Sequence, residues 1–440
     1  MSVRFRFAGA KLVRHSHIVL VTGFVVGLGI RLVLLPYKGT FDMVDYADWG
    51  RQVRSHGLHQ SFVLYPLVNQ LFAAEVWLAS TLHVPVWAGL KLGTLLFDVT
   101  SFFLLVAILS RLGADRRWAL VYWLHPYFLA LFWLGYIDVP VGTFILLGIL
   151  LVSLRSRLPF NVAAGGALGL ALMQKPQALT VVAAVGGLLA AVAILFRRSG
   201  RSLEGQLLGV LAGVVGVFAC YAAYFYRLGY GWTHLFHGYR PHTIAGLSAG
   251  LSGHMLNIWF PFAVYGASTK VPDYAVTKPA VANTIGSVLV AIGFVAAAFV
   301  VARRSMHRPL ASSLLLVTAL WTLILPMVGT HAHENHLFYG LLLSLPLVAS
   351  RHDLPLRVGY HVLLAANAIN LFCLYLFGLN HLSNWSPGLA VAHLYRPFAV
   401  QLVVTACAIA AWLVVLIRLS RSALAVGSSE SGDSGLAVLH

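Results

Sequence analysis

Three histidines and a carboxylate gather within six residues of the chain, which has only 13 acidic residues among 440. They are His331, His333, Glu334 and His336. Long apolar runs flank this segment, and polar groups at a membrane boundary are costly to desolvate. The spacing differs from the His-Glu-x-x-His zinc motif, because only one residue separates Glu334 from the next histidine. Phosphate recognition is therefore favoured, with Glu334 orienting a ring nitrogen; metal binding and a satisfied polar knot are the alternatives.

A second group of carboxylates follows the first long apolar run. Asp42, Asp45 and Asp48 are spaced three residues apart, so that in a helix they share one broad face, with aromatic residues suited to the membrane interface on the other side. A solvated charged face is the favoured interpretation for Asp45 and Asp48, with substrate binding by Asp45 as the alternative. Asp42 lies at the predicted helix start, beside a Gly-Thr turn, where a fixed carboxylate can act as a general base.

Four further polar residues are candidates for a binding site. Asp138 precedes Pro140 by two residues, which fits either the N-cap of the next helix or a functional carboxylate. Lys175, in a Gln-Lys-Pro-Gln turn, could offset a helix dipole or hold a lipid phosphate. Arg240 and His242 lie in a long glycine-containing loop that could close over the same phosphate or serve only as a linker.

The composition is that of a polytopic helical membrane protein. Hydrophobic residues make up 59% and charged residues 10%, and the mean hydropathy is +0.83, whereas about a quarter of a soluble domain is charged. The net charge of +17 does not indicate nucleic-acid binding, because the basic residues fall in short loops between apolar runs. The three cysteines lie within apolar runs and are predicted to be inert buried thiols.

The apolar runs predict an all-α fold with about 12 transmembrane helices. The predicted spans are 16–35, 87–110, 118–135, 139–155, 159–174, 178–196, 206–226, 283–302, 309–329, 337–350, 356–378 and 397–418. Two other runs, 61–84 and 255–266, are predicted to lie at the outer face, because counting either as a span would place the later basic loops outside. Glu75 and Pro66 within the first of them support this interpretation.

The predicted organisation is one integral-membrane domain over residues 1–421 and a disordered cytoplasmic tail over 422–440. Juxtamembrane helices are expected in the first outer loop, 36–86, and a second long outer loop covers 227–282. The first apolar run is predicted to be retained, because it has no convincing small-residue cleavage site. Both termini are then cytoplasmic, and all the candidate site residues fall on the outer face, where nucleotide-activated donors are normally absent.

Several short motifs follow one another in an order that resembles the GT-C glycosyltransferases, which use polyprenyl-phosphate sugars. The motifs are Asp42-Met-x-x-Tyr46-x-x-Trp49, Tyr65-Pro66, Gly135-x-x-Asp138, Lys175-Pro176-Gln177 and His331-Ala-His-Glu334. Among these enzymes the chain is most similar to the dolichyl-phosphate-glucose glucosyltransferases of N-glycan precursor assembly and their bacterial relatives. The chain departs from the family pattern at Leu67, Tyr136 and Asn335, where proline, glutamine and lysine are common.

The resemblance implies that Asp42 is the catalytic base and that His331 and His333 lie near the donor phosphate. We therefore expect a hexosyltransferase of glucose or mannose type in the bacterial plasma membrane, acting on a lipid-linked or cell-envelope glycan acceptor at the outer face. Lys175, Arg240 or the histidines stabilise the leaving phosphate. The expected partners are the lipid-phosphate donor, the glycan or glycolipid acceptor and membrane lipid, without nucleic acid, metal or other cofactor.

The alternative is a secondary transporter or flippase of a lipid or sugar substrate, since twelve spans with both termini inside suit that class. Against it, the sequence has no internal repeat between its halves. Its only candidates for a mid-membrane polar pair, Lys91 and Asp98, are more simply explained by snorkelling or by pairing across helices. An intramembrane metalloprotease is disfavoured by the ligand spacing of the histidine segment.

Overall fold

Most of the chain is described by a computed structural model. The described residues are 3–40, 42–58, 66–155, 157–196, 201–230, 252–253, 255–262, 279–305, 309–330, 332–333, 335–373, 394–395 and 397–421. Within these ranges the chain is almost entirely helical, as its apolar composition predicts. Most of the second outer loop and the whole C-terminal tail lie outside the described residues.

Fifteen helices and two very short strands are described in these ranges. The helices are α1 (Val3–Leu34), α2 (Asp42–His56), α3 (Pro66–Leu82), α4 (Val86–Arg111), α5 (Ala119–Leu124), α6 (Pro126–Leu134), α7 (Asp138–Leu154), α8 (Leu158–Leu172), α9 (Leu179–Leu195), α10 (Arg201–Arg227), α11 (Pro279–Ser305), α12 (Leu310–Val328), α13 (Phe338–Ala349), α14 (Leu354–Leu371) and α15 (Phe398–Arg421). Short 3₁₀ turns, Arg116–Trp118 and Pro176–Ala178, precede α5 and α9. The strands β1 (Ser252–Gly253) and β2 (Ala332–His333) pair in parallel.

Seven of the described segments are long and apolar enough to cross a membrane. They lie in α1, α4, α9, α10, α11, α12 and α15, and α7, α8 and α13 are shorter apolar helices. A multi-pass membrane protein is therefore confirmed, whereas the count of twelve spans stays a prediction. The predicted span 118–135 is divided at His125-Pro126, because a residue before proline is pushed into an extended conformation (ψ 134° at His125).

Helices α12 and α13 occupy the centre of the bundle. All twelve residues of α13 are buried, and so are most of those of α12. The hydroxyl groups of Thr318 and Thr322 donate to carbonyl oxygens one turn earlier, at 2.7 and 2.6 Å, which satisfies these polar groups inside an apolar core. These two helices therefore form the apolar centre against which other helices pack.

Arginine side chains join one set of helix ends, which we name the basic end and define by Arg111, Arg155, Arg304, Arg357 and Arg418. The contacts that connect these helix ends are Arg111 Nη1 to Ser153 O (2.9 Å), Arg357 over the Trp118 ring (5.3 Å), Arg418 to Asp353 (3.7 Å) and Arg304 Nη2 to Arg421 O (3.3 Å). The opposite end contains the starts of α2, α7 and α13. Helix α7 joins the two ends, and its 17 residues span about 25 Å at 1.5 Å per residue.

Helices α2 and α3 pack together at the opposite end. The Tyr46 ring stacks on Phe72, with centroids 4.6 Å apart, so this aromatic side of α2 contacts α3. Glu75 turns toward α4, where its carboxyl group lies against Gly93, and burial raises its pKa well above the usual range. Neither α2 nor α3 is among the helices long and apolar enough to span, as expected for a pair of juxtamembrane helices.

The run 255–266, described up to residue 262, forms a turn against the C-terminal end of α12. Asn257 holds this turn, because its Nδ2 donates to the carbonyl oxygens of Pro326 (3.1 Å) and Gly329 (3.2 Å). Its Oδ1 accepts from the backbone N–H groups of Trp259 and Phe260, both at 3.0 Å. One buried amide therefore satisfies backbone groups of both elements.

An ion pair is buried inside the bundle. Asp98 of α4 accepts hydrogen bonds from Arg31 of α1 and from the Tyr122 hydroxyl of α5. The Arg31 guanidinium also lies 3.7 Å from the Trp123 ring centroid and donates to the Trp123 carbonyl at 2.7 Å. Lys91 donates to the carbonyl oxygens of Leu34, the last residue of α1, and of Tyr37, three residues beyond it. Asp98 thus pairs across helices, as predicted.

Candidate functional site

A cluster of polar side chains surrounds Asp138 at the opposite end of the bundle. The Asp138 side chain is fully buried, and its two oxygens accept four hydrogen bonds. The donors are Lys175 Nζ (2.9 and 3.0 Å), Asn335 Nδ2 (2.7 Å) and the Tyr339 hydroxyl (2.6 Å). We name this the Asp138 cluster and define it by Asp138, Lys175, Gln177, His333, Asn335, His336 and Tyr339.

The turn between α6 and α7 places Asp138 in the cluster. Gly135 ends α6 in the left-handed conformation (φ 80°), and the Met43 sulfur would lie 2.2 Å from a Cβ at this position. The left-handed backbone therefore favours glycine at this position, and the Met43 side chain of α2 packs directly against it. Pro140 lies in the first turn of α7, as predicted, but the proposed N-cap is wrong, since Ile137 is the N-cap and makes no side-chain cap bond. The Asp138 carboxylate bonds the cluster instead.

Lys175 follows α8 in an extended conformation (φ −155°, ψ 135°), as expected for a residue before proline. The backbone N–H of Leu67 donates to Met173 O at 2.9 Å, which fixes the start of α3 beside this turn. A proline at position 67, common in the resembled family, lacks that donor. The Lys175 ammonium has three N–H groups, of which two reach Asp138. Among the described residues it makes no third hydrogen bond.

Three members of the cluster were missed as site residues by the sequence predictions, and one of them, Gln177, was noted only as part of the Lys175-Pro176-Gln177 motif. Asn335 was noted only as a departure from the family pattern, yet its amide donates to Asp138. Tyr339 was not predicted at all, although it lies only four residues after Asn335, in the first turn of α13. A tyrosine hydroxyl at the start of an otherwise apolar helix was the available signal. With a neutral amide at position 335, Lys175 is the cation that balances Asp138.

His336 is held in one tautomer by its neighbours. Its Nδ1 accepts from the backbone N–H of His333 at 3.1 Å, so in the neutral ring the proton is on Nε2. The amide nitrogen of Gln177 lies 3.1 Å from Nε2 of His336. The amide oxygen of Gln177, Oε1, is buried and has no hydrogen-bond partner in the part of the chain that the structure describes. A half-turn of the amide, which exchanges oxygen and nitrogen, lets Oε1 accept the Nε2 proton. His336 is therefore bound as a neutral donor to Gln177.

Burial, with smaller contributions from Lys175 and His333, holds the pKa of His336 well below its usual range. The unfolded chain then takes up the proton more readily than the folded protein. The stability that comes from the neutral His336 is therefore present above about pH 6.5 and is lost as the pH falls below it.

When the pH is lowered from 6.5 to 5, we expect the free energy of unfolding to fall by about 2 kcal/mol more in wild type than in His336→Gln. Unfolding in neutral detergent measures this, with the exposed His352→Gln as control; equal pH slopes for wild type and His336→Gln would contradict it.

The remaining candidates lie near the cluster, on the surface, or outside the described residues. Asp42 is half-buried and begins α2, as predicted; its neighbour Met43 packs against Gly135. Asp45 is exposed, and its role in substrate binding stays a prediction. Arg240, His242, His331 and Glu334 lie outside the described residues. Within the described part of the chain, no group of three or more His, Cys, Asp or Glu residues could hold a metal ion.

The strand pair connects the second outer loop to the histidine segment. Ser252 is in register with Ala332, and Gly253 with His333. Residues 252–253 of that loop therefore reach the Asp138 cluster through main-chain pairing, which the sequence did not predict. The chain matches no protein-family model, and no curated protein sequence is significantly similar to it.

Proposed function

We propose that the chain is a GT-C-like membrane glycosyltransferase. It moves a hexosyl unit, of glucose or mannose type, from a polyprenyl-phosphate donor to a lipid-linked or cell-envelope glycan acceptor. The observation that carries this proposal is the Lys175 ammonium, which Asp138 orients and which keeps one N–H available within the described surroundings. A fixed cation of this kind suits a lipid phosphate.

The reaction is a single displacement at the anomeric carbon. The acceptor hydroxyl oxygen forms the new glycosidic bond, the bond from the anomeric carbon to the phosphate oxygen breaks, and the lipid phosphate leaves with the electron pair. Asp42 takes the hydroxyl proton, and Lys175 stabilises the charge on the leaving phosphate. Inversion at the anomeric carbon follows, because one base and no covalent intermediate are involved.

We further propose twelve crossings, with the basic end in the cytoplasm and the Asp138 cluster at the outer face of a bacterial plasma membrane. Positive residues favour the cytoplasmic side in short loops. The direction of successive helices supports this: α4 ends at Arg111, α5 and α6 run back to Gly135, and α7 returns to Arg155. This orientation places the cluster where a polyprenyl-phosphate sugar, rather than a nucleotide sugar, is the available donor.

The buried Arg31–Asp98 pair is the observation that favours the transporter alternative, because ionisable groups inside membranes often mark transport pathways. Its surroundings favour a structural role instead. The two Asp98 oxygens are occupied by Arg31 and the Tyr122 hydroxyl, and the guanidinium is stacked on Trp123. Both Asp98 oxygens thus have donors, although Nη2 of Arg31 is buried without a partner among the described residues. The pair holds α1, α4 and α5 together.

A transfer assay with purified full-length protein tests the proposed function. We expect hexosyl transfer from polyprenyl-phosphate glucose or mannose and none from nucleotide sugars. Lys175→Met is expected to lower kcat/KM about 10²–10³-fold, the usual cost of removing one donor that stabilises a developing anion. Lys38→Met is the matched control, since Lys38 is an exposed lysine just after α1.

The double variant Asp138→Asn/Lys175→Met removes both charges and separates loss of function from loss of folding. It avoids an unpaired buried carboxylate, so we expect it to unfold closer to the wild-type temperature than Lys175→Met and to remain as inactive. Absence of transfer from every polyprenyl-phosphate sugar, or full activity of a folded Lys175 variant, would rule the proposal out.

A further inference from the structure

A cavity of about 740 Å³ opens at the basic end of the bundle. Its walls come from the C-terminal ends of α4, α7 and α11 and from the N-terminal ends of α10 and α12. The volume lies within the range of ligand-binding pockets. Because α7 extends from Asp138 to the cavity wall at Leu154, the two sites are about 25 Å apart. The cavity is therefore separate from the proposed transfer site.

The charge of the cavity wall is positive. Arg111 and Arg155 both line it, and none of the described residues that line it is acidic. Arg111 Nη1 donates to Ser153 O at 2.9 Å, which ties the guanidinium to the wall. A guanidinium has five N–H groups in a planar fork, so donors remain for a ligand. Two arginines on one cavity wall are suited to the oxygens of a phosphate.

Neutral donors add to this charge. Ser202 and Ser312 contribute hydroxyl groups to the lining. Helix α12 begins in the wall, and its N-cap, Pro309, supplies no side-chain cap bond. The N-terminal end of a 19-residue helix carries a partial positive charge. The arginines, hydroxyls and helix dipole thus all favour an anion in the same cavity.

The rest of the wall is apolar. Leu112, Val152, Leu154 and Leu203 line the cavity beside the arginines, and Leu154 is more than a third exposed. An inorganic anion gains nothing from such a surface, whereas the glycerol and first acyl carbons of a phospholipid bury apolar area against it. The cavity also lies where the spanning helices end, at the level of lipid headgroups.

We propose that this cavity is a binding site for a phosphate group, held by Arg111 and Arg155. Its apolar wall favours the headgroup of an anionic phospholipid from the adjacent leaflet over free phosphate. The ligand binds about 25 Å from the Asp138 cluster and takes no part in glycosyl transfer. It joins the ends of five helices that the basic residues would otherwise drive apart.

Ligand-dependent thermal unfolding of the full-length protein in neutral detergent tests this site. The probes are dioctanoyl phosphatidylglycerol, dioctanoylglycerol, which lacks the phosphate, and inorganic phosphate. We expect phosphatidylglycerol to raise the unfolding temperature in a saturable way and dioctanoylglycerol to leave it unchanged. Arg111→Gln/Arg155→Gln is expected to weaken binding at least about tenfold, through the loss of two charge-assisted contacts.

Arg157→Gln is the matched control, because it removes an exposed arginine two residues from Arg155 that does not line the cavity. Ser312→Asp leaves both arginines in place and adds a carboxylate to the wall, so it is expected to abolish binding even if the arginine variant folds poorly. If inorganic phosphate alone binds saturably and with the same dependence on the two arginines, the phosphate site is supported and its ligand is a soluble phosphate. Equal shifts with dioctanoylglycerol, or unchanged affinity in the folded double variant or in Ser312→Asp, would overturn the proposal.

Discussion

Asp42→Asn is expected to lower kcat for hexosyl transfer about 10²–10⁴-fold, the range attributed to general-base catalysis. Asp42 is the half-buried first residue of α2, and its neighbour Met43 contacts Gly135 in the turn that leads to Asp138. Asparagine has nearly the same shape and cannot accept the proton of the acceptor hydroxyl. Because the proton is transferred in the transition state, kcat is expected to fall much more than KM rises.

Two variants on the same helix are the controls for this prediction. Asp48→Asn removes a half-exposed carboxylate that pairs with Arg51 at 2.5 Å, and it is expected to retain nearly full activity. Asp45→Asn is expected to raise KM with little change in kcat if Asp45 contacts substrate. Steady-state kinetics with the active polyprenyl-phosphate sugar distinguish these results. Wild-type kcat in Asp42→Asn would remove Asp42 as the base, whatever the outcome for Lys175.

Asp98→Ala is expected to destabilise the folded protein by about 3–5 kcal/mol, the usual cost of leaving one partner of a buried ion pair. Arg31 and Asp98 are 0% and 2% exposed, so water cannot replace the lost carboxylate. The Tyr122 hydroxyl loses its acceptor in the same substitution. The free energy of unfolding in mixed micelles, measured with increasing denaturing detergent, gives the size of the effect.

The double variant Arg31→Met/Asp98→Leu separates the cost of the unpaired charge from the value of the pair. Replacing both ions by apolar side chains removes the desolvation cost, so we expect it to recover most of the stability lost in Asp98→Ala. At the surface, Asp48→Ala removes the partner of Arg51 and is expected to cost less than about 1 kcal/mol. A loss below about 1 kcal/mol for Asp98→Ala would show that the pair does not hold α1 to α4.

Much of the fold follows from local pattern. Long apolar runs must satisfy their backbone polar groups internally in a membrane, so they predict helices, and ten of them are found as apolar helices. The boundaries between helices are harder to predict than the helices themselves, because one proline decides whether a run such as 118–135 is one helix or two. The count of spans depends on length thresholds that three of the apolar helices, of 12 to 17 residues, do not reach.

The candidate site was predictable in part. Asp138 and Lys175 were identified as polar residues at the ends of apolar runs, and each was weighed against a local helix-terminus role. Only the fold shows that they pair with each other, 37 residues apart in the chain. Asn335 and Tyr339 complete the same cluster from 197 and 201 residues away, and no local pattern predicts such contacts.

The sequence by itself determined that this is an all-α membrane protein with charged segments at the helix ends. Hydropathy and charge placement act through each residue's own preference for membrane or water, which does not depend on contacts with distant residues. Tertiary structure decided which polar groups meet. A buried carboxylate must find donors wherever the fold provides them, and α7, the Lys175 turn and the start of α13 converge at Asp138 for that reason. The same rule paired Asp98 with Arg31 instead of with Lys91 on its own helix.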